Sequence, residues 1–403
     1  MKVLSLSTHS TNGGAAKTAL DISNAVSSHC SIVHFTSESL YRTPPFSRSP
    51  LSSEYFLDIR RKLGRVPALF DSNQPSIYKS YSLLPSFFPK LLSQISPDLV
   101  HLHWIQGEFI SIEDLRHLEV PVVWTMHDSW PFSSSEHHSL PDHIPSSIAY
   151  GSLKSWNPSR LTFARKLRVY RRLNISGVAP SLWMHNKAAA SELFGRFPNY
   201  IVPNPVELSI FCPQNPLQAR EHFGIPADLP VLLLASLAAP SDPIKGFDLF
   251  LQSLPMIAAK IPNLVIVVAG SCKATTLSHP RVIYVGKIHS KREMALLYSA
   301  ADVTCVPSRI ETHSQTAAES ISCGTPVAAF NASGNSSVVT HGQTGFLAAA
   351  YSPRELSKAV SDCFMLSSNA SLVQTLRNAS SMWNPAVVGK QYYEIYKNTL
   401  SAR

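Results

Sequence analysis

Six cysteines are spread over 403 residues, at positions 30, 212, 272, 305, 323 and 363, and no two of them form a C-x-x-C pair. That spacing indicates neither a thiolate zinc site nor a disulfide framework, and the apolar patterns around most of them read as reduced core residues. Long apolar runs are missing as well. No stretch reaches the ~20 residues that a membrane-spanning helix needs, and the opening MKVLSLSTHS has too short an apolar run for a secretory signal and no cleavage pattern. A cytoplasmic protein is expected, one that can still rest on the inner face of a membrane. No G-x-G-x-x-G follows the first strand, which disfavours a nicotinamide cofactor. Charge is sparse and unbalanced: 35 Lys and Arg stand against 26 Asp and Glu, a formal +9. The excess suits an anionic partner, whether a nucleotide sugar, a lipid phosphate, an anionic membrane surface or nucleic acid.

The chain is too long for one ordinary core, and with 44% hydrophobic residues it can bury two. Its beginning reads as strand, glycine-bearing turn and helix: residues 2–7, then THSTNGGAA with Gly13 and Gly14, then 17–26. Paired glycines let a backbone approach a ligand, and a helix N-terminus favours an anion. A helix is expected over 82–95, stopped by Ser96-Pro97, and a short one over 112–118. Residues 98–104 (DLVHLHW) and 121–126 (PVVWTM) read as buried strands, and His127-Asp128 stands at the end of the second. In the other half, residues 230–236, 264–270, 282–286 and 303–306 are apolar strands. Alternating strands and helices predict parallel α/β architecture.

Most chemistry is concentrated in VPSRIETHSQTAAESISCGTPVAA, residues 306–329. A buried strand ends in Pro307-Ser308, a loop follows, a helix starts near Thr316, and Cys323-Gly324-Thr325-Pro326 stops it before a second strand. Glu311 and Glu319 bracket the loop and helix start with seven residues between them. Such a turn brings carboxylates and backbone donors to the carboxyl edge of a sheet, where open α/β sheets bind ligands. Ionised carboxylates there accept hydrogen bonds from sugar or ribose hydroxyls.

This stretch resembles the Glu-x7-Glu signature of the retaining glycosyltransferases of family 4. The resemblance implies the GT-B fold, two Rossmann-like domains with parallel sheets facing an interdomain cleft. It places an N-terminal acceptor-binding domain at 1–199, a nucleotide-sugar-binding domain at 200–385, and a C-terminal helix at 386–403 that returns to the first domain. It gives Glu319 the nucleotide ribose and Glu311 the donor sugar, with Ser314, Gln315 and Thr316 beside them. Lys245-Gly246 matches the lysine that grips the donor diphosphate. The arginine that usually accompanies it is absent, because the corresponding stretch is Ala235-Ser236-Leu237. Ser236, Gly286 and Arg309 are therefore further donor-site candidates, along with Lys287 and with Gly13 and Gly14 of the first loop. TMHDSWPF resembles a subgroup acting in polysaccharide and colanic-acid-like pathways, which makes His127 the histidine beside the donor sugar. HGQTGFL and VPNPVE also fit the family. The activity implied is retaining transfer of a hexose from a nucleotide sugar to a hydroxyl of a glycan, lipid-linked or small-molecule acceptor, with no metal and no nucleic acid involved. The alternative is a degenerate GT-B protein that binds a nucleotide sugar or glycan without turnover.

Three segments stay open at this level. His137, His138 and His143, near Glu136, invite a metal, but relatives of this subgroup often carry a Cys-rich loop here and this chain has no cysteine between 31 and 211, so a flexible acceptor-side loop is the expectation. Residues 55–63 carry Arg60, Arg61 and Lys62, with Arg65 just beyond, and 160–173 carry Arg165, Lys166, Arg168, Arg171 and Arg172. Both read first as solvated basic helices; the first could also meet an anionic lipid or acceptor, and the second ranks an anionic membrane ahead of nucleic acid.

Overall fold

The computed structural model describes residues 1–10, 13–42, 54–71, 78–138, 157–235, 242–270, 277 and 279–402. Ser236 and His143 lie outside the described residues. The chain divides into two compact units, Met1–Pro205 with Ala386–Arg403, and Val206–Pro385.

The first unit holds β1 (Lys2–Ser7), β2 (Ser31–Thr36), β3 (Leu99–Leu102), β4 (Val122–Thr125), β5 (Ile175–Ala179) and β6 (Asn199–Ile201). They form one sheet in the order β2-β1-β3-β4-β5-β6, and each pairing is parallel. The second unit holds β7 (Val231–Ala235), β8 (Val265–Ala269), β9 (Val282–Gly286), β10 (Val303–Val306), β11 (Val327–Phe330) and β12 (Gly345–Ala348). Their order is β12-β11-β10-β7-β8-β9, again parallel throughout. Residues of β3, β4, β5, β8, β10 and β11 are buried at every position, as sheets covered on both faces require.

Strand order locates the ligand edges. In the first sheet the winding reverses between β1 and β3, and in the second between β7 and β10. At such a reversal the connections leave in opposite directions and open a crevice at the carboxyl ends of the strands. The loops there are 8–10 and 103–108 in the first unit, and 307–314 in the second.

One face of the first sheet is covered by the helices Gly14–Val26 and Pro385–Ser401, whose Ile22, Val26, Val388, Tyr392 and Tyr396 pack on Val3, Val123 and Val178. The helices touch at Gly389, where a Cβ would lie 2.1 Å from the Ala25 carbonyl oxygen.

Several local expectations change. The helix over 82–95 is shortened to Phe88–Ile95, because Pro85 and Pro89 deny the preceding turn its amide donors and Ser82 takes a left-handed φ of 46°. The helix Pro158–Tyr170 is not simply a solvated basic face. Lys166 is fully buried, its Nζ donating to the carbonyls of Trp130 and Ser133 over the Trp130 ring, and Arg165 ties Glu113 to the carbonyls of Tyr81 and Ser82. Of the cations in 160–173, Arg160, Arg168, Arg171 and Arg172 stay exposed. No helix among the described residues is long and apolar enough to cross a membrane.

Replacing Gly389 by leucine must push the terminal helix away from Ala25. Overpacking of this kind costs about 1–3 kcal/mol, so Gly389→Leu is expected to lower the melting temperature by several degrees in calorimetry, while Lys390→Ala on the exposed side leaves it within a degree or so.

Candidate functional site

In the second unit the reversal point is built on a contact that only glycine permits. The turn Pro243–Lys245 ends at Gly246, φ 63°, and a Cβ there would lie 2.0 Å from the Pro307 carbonyl oxygen after β10. The Arg309 amide donates to the Ile244 carbonyl at 2.7 Å, and the Arg309 guanidinium takes both Asp248 carboxylate oxygens at 2.7 and 2.6 Å together with the Pro243 carbonyl. Asp242 caps the same turn through the Ile244 amide. Behind Glu311, the Gly334 amide donates to its carbonyl at 2.7 Å and its own amide donates to Ser333 Oγ at 2.9 Å.

These constraints bring Lys245 Nζ to 2.8 Å from Glu311 Oε1. Glu311 holds the lysine's pKa above its ordinary value, so Lys245 is fully cationic at neutral pH. Three residues on, Ser314 caps the helix Gln315–Ser322 by accepting from the Ala317 amide, which leaves the half-buried Gln315 and Thr316 on its first turn. Glu319 lies one turn further, with its Oε2 accepting from Tyr298 Oη at 3.1 Å.

The structure thus unites Lys245, Gly246, Glu311 and Arg309 at one switch point, with Ser314, Gln315, Thr316 and Glu319 on the adjoining helix. Arg309 turns its guanidinium to Asp248 and braces the turn. Gly286, φ 72°, ends β9 at the sheet's outer edge, two strands from β7.

In the first unit, Gly13, φ 89°, precedes the helix Gly14–Val26, and nothing lies within 4 Å of where a Cβ would stand on Gly13 or Gly14. His127 follows β4, and its Nε2 lies 3.0 Å from His103 Nδ1. Burial lowers the His127 pKa to about 4 against the opposing pull of Asp128, and lowers His103 well below the imidazole range. Both rings are neutral at pH 7, so one proton is shared out along this contact. His103 is 1% exposed and its Nε2 has no hydrogen-bond partner. A buried orphan N–H is rarer than a buried orphan acceptor. The favoured arrangement therefore has His103 Nδ1–H donating to His127 Nε2, which leaves Nδ1–H of His127 as a donor.

Sequence reasoning missed His103 and the network beside it. Asp128 accepts from Trp104 Nε1 at 2.7 Å and from the Trp130 amide, and it pairs with His137 Nδ1, whose Nε2 meets Ser80 Oγ at 2.8 Å. Burial pushes Asp128 up, but His137 outweighs it and holds the carboxyl below its usual range. His137 is 2% exposed, which corrects the expectation of a flexible loop at that residue. Among the described residues no group of three or more His, Cys, Asp or Glu is arranged to hold a metal ion. The available signal for His103 was the alternation in HLHW, which puts His101 and His103 on one face of the strand.

Two doubly wound parallel units, one with a lysine, two carboxylates and a helix N-terminus at its switch point, define a two-unit Rossmann-like α/β protein. Residues 12–210 match the family described as Glycosyltransferase Family 4, and residues 230–365 match Glycosyl transferases group 1. The chain belongs to the family 4 glycosyltransferases. It is 30% identical over 218 residues to a D-inositol 3-phosphate glycosyltransferase of Thermobispora bispora, covering 49% of this chain and 50% of that one. It is 28% identical over 288 residues to D-inositol 3-phosphate glycosyltransferase 2 of Catenulispora acidiphila, covering 65% and 61%. The chain thus spans about half the length of the first of these relatives and less than two thirds of the second. Among solved structures, sucrose-phosphate synthase from Thermosynechococcus elongatus superposes with TM-score 0.70 at 17% identity over 100% of both chains. Anabaena HepE in complex with UDP and glucose gives 0.64 at 18%, covering 99% of this chain and 100% of that one. These likenesses identify the GT-B fold.

Two outcomes are expected. Gly246→Ala must break the contact with Pro307, at a cost of about 1–3 kcal/mol, seen as a lower melting temperature that the neighbouring Asp248→Ala reproduces only in part. His34, His127 and His313 are each brought to about 4 by burial. Between pH 4 and the ordinary imidazole value of about 6.5 the unfolded chain binds these protons and the fold does not. Stability should therefore be fully present above pH 7 and fall as pH drops toward 4, by about 1.4 kcal/mol per pH unit for each such group. Denaturant titrations from pH 8 to 4 measure this, and a flat profile would contradict the buried neutral state.

Proposed function

We propose that the protein is a retaining hexosyltransferase that moves a hexose from a nucleotide-sugar donor to a hydroxyl of a glycan, lipid-linked or small-molecule acceptor. The observation that carries the reading is the Lys245–Glu311 pair at the β7/β10 switch point, beside the helix that bears Glu319. In support, the curated relatives are named as glycosyltransferases and HepE was solved with UDP and glucose.

The chemistry assigned to each residue follows from its charge and surroundings. Lys245 meets the donor diphosphate, exchanging one anionic partner, Glu311, for a stronger one. The first-turn amides at Gln315 and Thr316 add positive potential. No metal is required on this account, because a fixed ammonium and a helix N-terminus neutralise the leaving group. Glu319, oriented by Tyr298, accepts from the ribose hydroxyls, and Glu311 accepts from the sugar. The bond from the anomeric carbon to the diphosphate oxygen breaks with its electron pair going to that oxygen. The acceptor oxygen bonds to the same face of the carbon, and its proton passes to the departing phosphate oxygen. His127, as a neutral Nδ1–H donor, serves the sugar side.

A second reading, binding of a nucleotide sugar or glycan without turnover, draws on one observation. Residues 235–241 (ASLAAPS) hold no cation where relatives place an arginine, and Arg309 is engaged with Asp248. A panel of nucleotide sugars, assayed for released nucleoside diphosphate without added metal, separates the two. Turnover of one donor is expected, with Glu319→Ala raising its KM roughly tenfold to a hundredfold, as loss of hydrogen bonds worth about 1.5–3 kcal/mol requires. Affinity without product from any donor, with glycan and lipid acceptors present, would establish the binding protein instead.

A further inference from the structure

His127 presents a defined donor only while His103 keeps one ring orientation, and the backbone does not supply that orientation. The His103 amide donates to the Leu6 carbonyl at 3.0 Å and its carbonyl accepts from Trp124 Nε1 at 3.2 Å, so the main chain is clamped on both sides. The ring itself makes one hydrogen bond, from Nδ1 to His127 Nε2 at 3.0 Å, and the buried Nε2 makes none. A ring held at a single nitrogen can turn about its Cβ–Cγ bond, a torsion with broad, two-fold preferences. A half-turn would place a carbon where Nδ1 now meets His127.

What holds the ring is the imidazole packed against it. His101 and His103 lie on one face of β3 with ring centroids 4.0 Å apart. His101 is fully buried and bound at both nitrogens: Tyr396 Oη lies 2.6 Å from Nδ1, and Thr125 Oγ1 lies 2.8 Å from Nε2. Thr125 Oγ1 is in turn 3.0 Å from Tyr392 Oη. Turning His101 would break two buried hydrogen bonds at once and leave their partners unpaired. Both tyrosine rings close the remaining space, their centroids 5.5 and 5.4 Å from that of His101.

The tyrosines stand one turn apart on the helix Pro385–Ser401, on the side that packs against Val3, Val123 and Val178. For that apolar contact phenylalanine would serve as well. A buried hydroxyl is unfavourable unless it is hydrogen-bonded, and the Tyr396 hydroxyl is bound to His101. Its visible effect in the fold is therefore to fix an imidazole two strand residues before His103.

We infer that Tyr396 and His101 are positioning residues for His127, acting through the His103 ring, so that the terminal helix sets the direction in which His127 presents its Nδ1–H. The inference rests on the glycosyltransferase reading above, which gives His127 the sugar side. On that reading Tyr396, His101 and His103 do not touch the reacting atoms. They keep one ring orientation populated before the donor arrives, which acts on kcat and adds nothing to donor binding.

The test uses the full chain and the donor identified by nucleotide release. Tyr396→Phe keeps the ring and removes the hydroxyl, and His103→Leu removes the contact with His127. Two controls accompany them: Tyr170→Phe, at a fully buried tyrosine whose hydroxyl has no partner, and Lys390→Ala, at an exposed position of the terminal helix. Nuclear magnetic resonance of protein labelled with nitrogen-15 in histidine alone reads the tautomer of each ring, and His127→Gln assigns the His127 signals. Tyr396→Phe and His103→Leu are each expected to lower kcat about tenfold to a hundredfold with the donor KM within about twofold of wild type. Both should also replace the single Nδ1–H tautomer of His127 by a mixture, while the controls keep kcat and tautomer. An unchanged kcat in Tyr396→Phe, or a loss confined to KM, overturns the inference while donor turnover still supports the transferase. A fall in kcat with the His127 tautomer unchanged overturns it as well, since it makes the contribution of Tyr396 one of general packing. Absence of donor turnover in the wild type overturns the transferase reading and the inference together. Circular dichroism reports whether each variant is folded, and Tyr396→Phe carries the test alone where His103→Leu is not.

Discussion

The close approach of Gly246 to the Pro307 carbonyl is the constraint on which the geometry around Lys245 and Glu311 depends. A turn that ends in a left-handed glycine can lie against the end of β10 with no side chain between them. Arg309 then clamps that turn from below through Asp248 and Pro243, and Lys245 emerges within reach of Glu311. Removing the glycine moves the lysine, the carboxylate loop and the clamp together. The ammonium and the carboxylate are both part-exposed, so their pairing orients the site more than it stabilises the fold.

The first unit solves a different problem with the same topology. Its switch point is lined by neutral imidazoles and aromatic rings, and burial keeps His101, His103 and His127 uncharged. The terminal helix contributes directly: Tyr396 Oη lies 2.6 Å from His101 Nδ1, and Tyr392 Oη lies 3.0 Å from Thr125 Oγ1, which meets His101 Nε2. Residues almost 300 positions apart in the chain therefore settle the protonation of one strand. The orientation of His103, and through it of His127, is a product of that packing.

Much of the architecture was legible in the sequence. Uninterrupted apolar strands alternating with amphipathic helices specify parallel sheets covered on both faces, and the Pro-Ser and Cys-Gly-Thr-Pro punctuation marks the loop of Glu311 and the helix of Glu319. What could not be read were partners chosen by tertiary contact. Nothing in RLTFARKLRVYRRL tells that Lys166 is drawn inside by the Trp130 ring and two carbonyls, because charge patterning reports exposure only on average. Nothing in SSSEHHS marks His137 as the buried partner of Asp128 and Ser80. The pairing of His103 with His127 needs the parallel register of β3 and β4, in which His101 lies opposite Val123. The helix over 82–95 begins only at Phe88 for a local reason, two prolines whose missing amides outweighed apolar periodicity.

The central claim is that the second unit binds a nucleotide sugar with its diphosphate on Lys245 and its ribose on Glu319. A crystal structure of the full chain with a nucleoside diphosphate tests this most directly. The account predicts a phosphate oxygen within hydrogen-bond distance of Lys245 Nζ, Glu311 freed from that contact, and the ribose hydroxyls on the Glu319 carboxylate. A nucleotide bound elsewhere, with the Lys245–Glu311 pair intact beneath it, would contradict it.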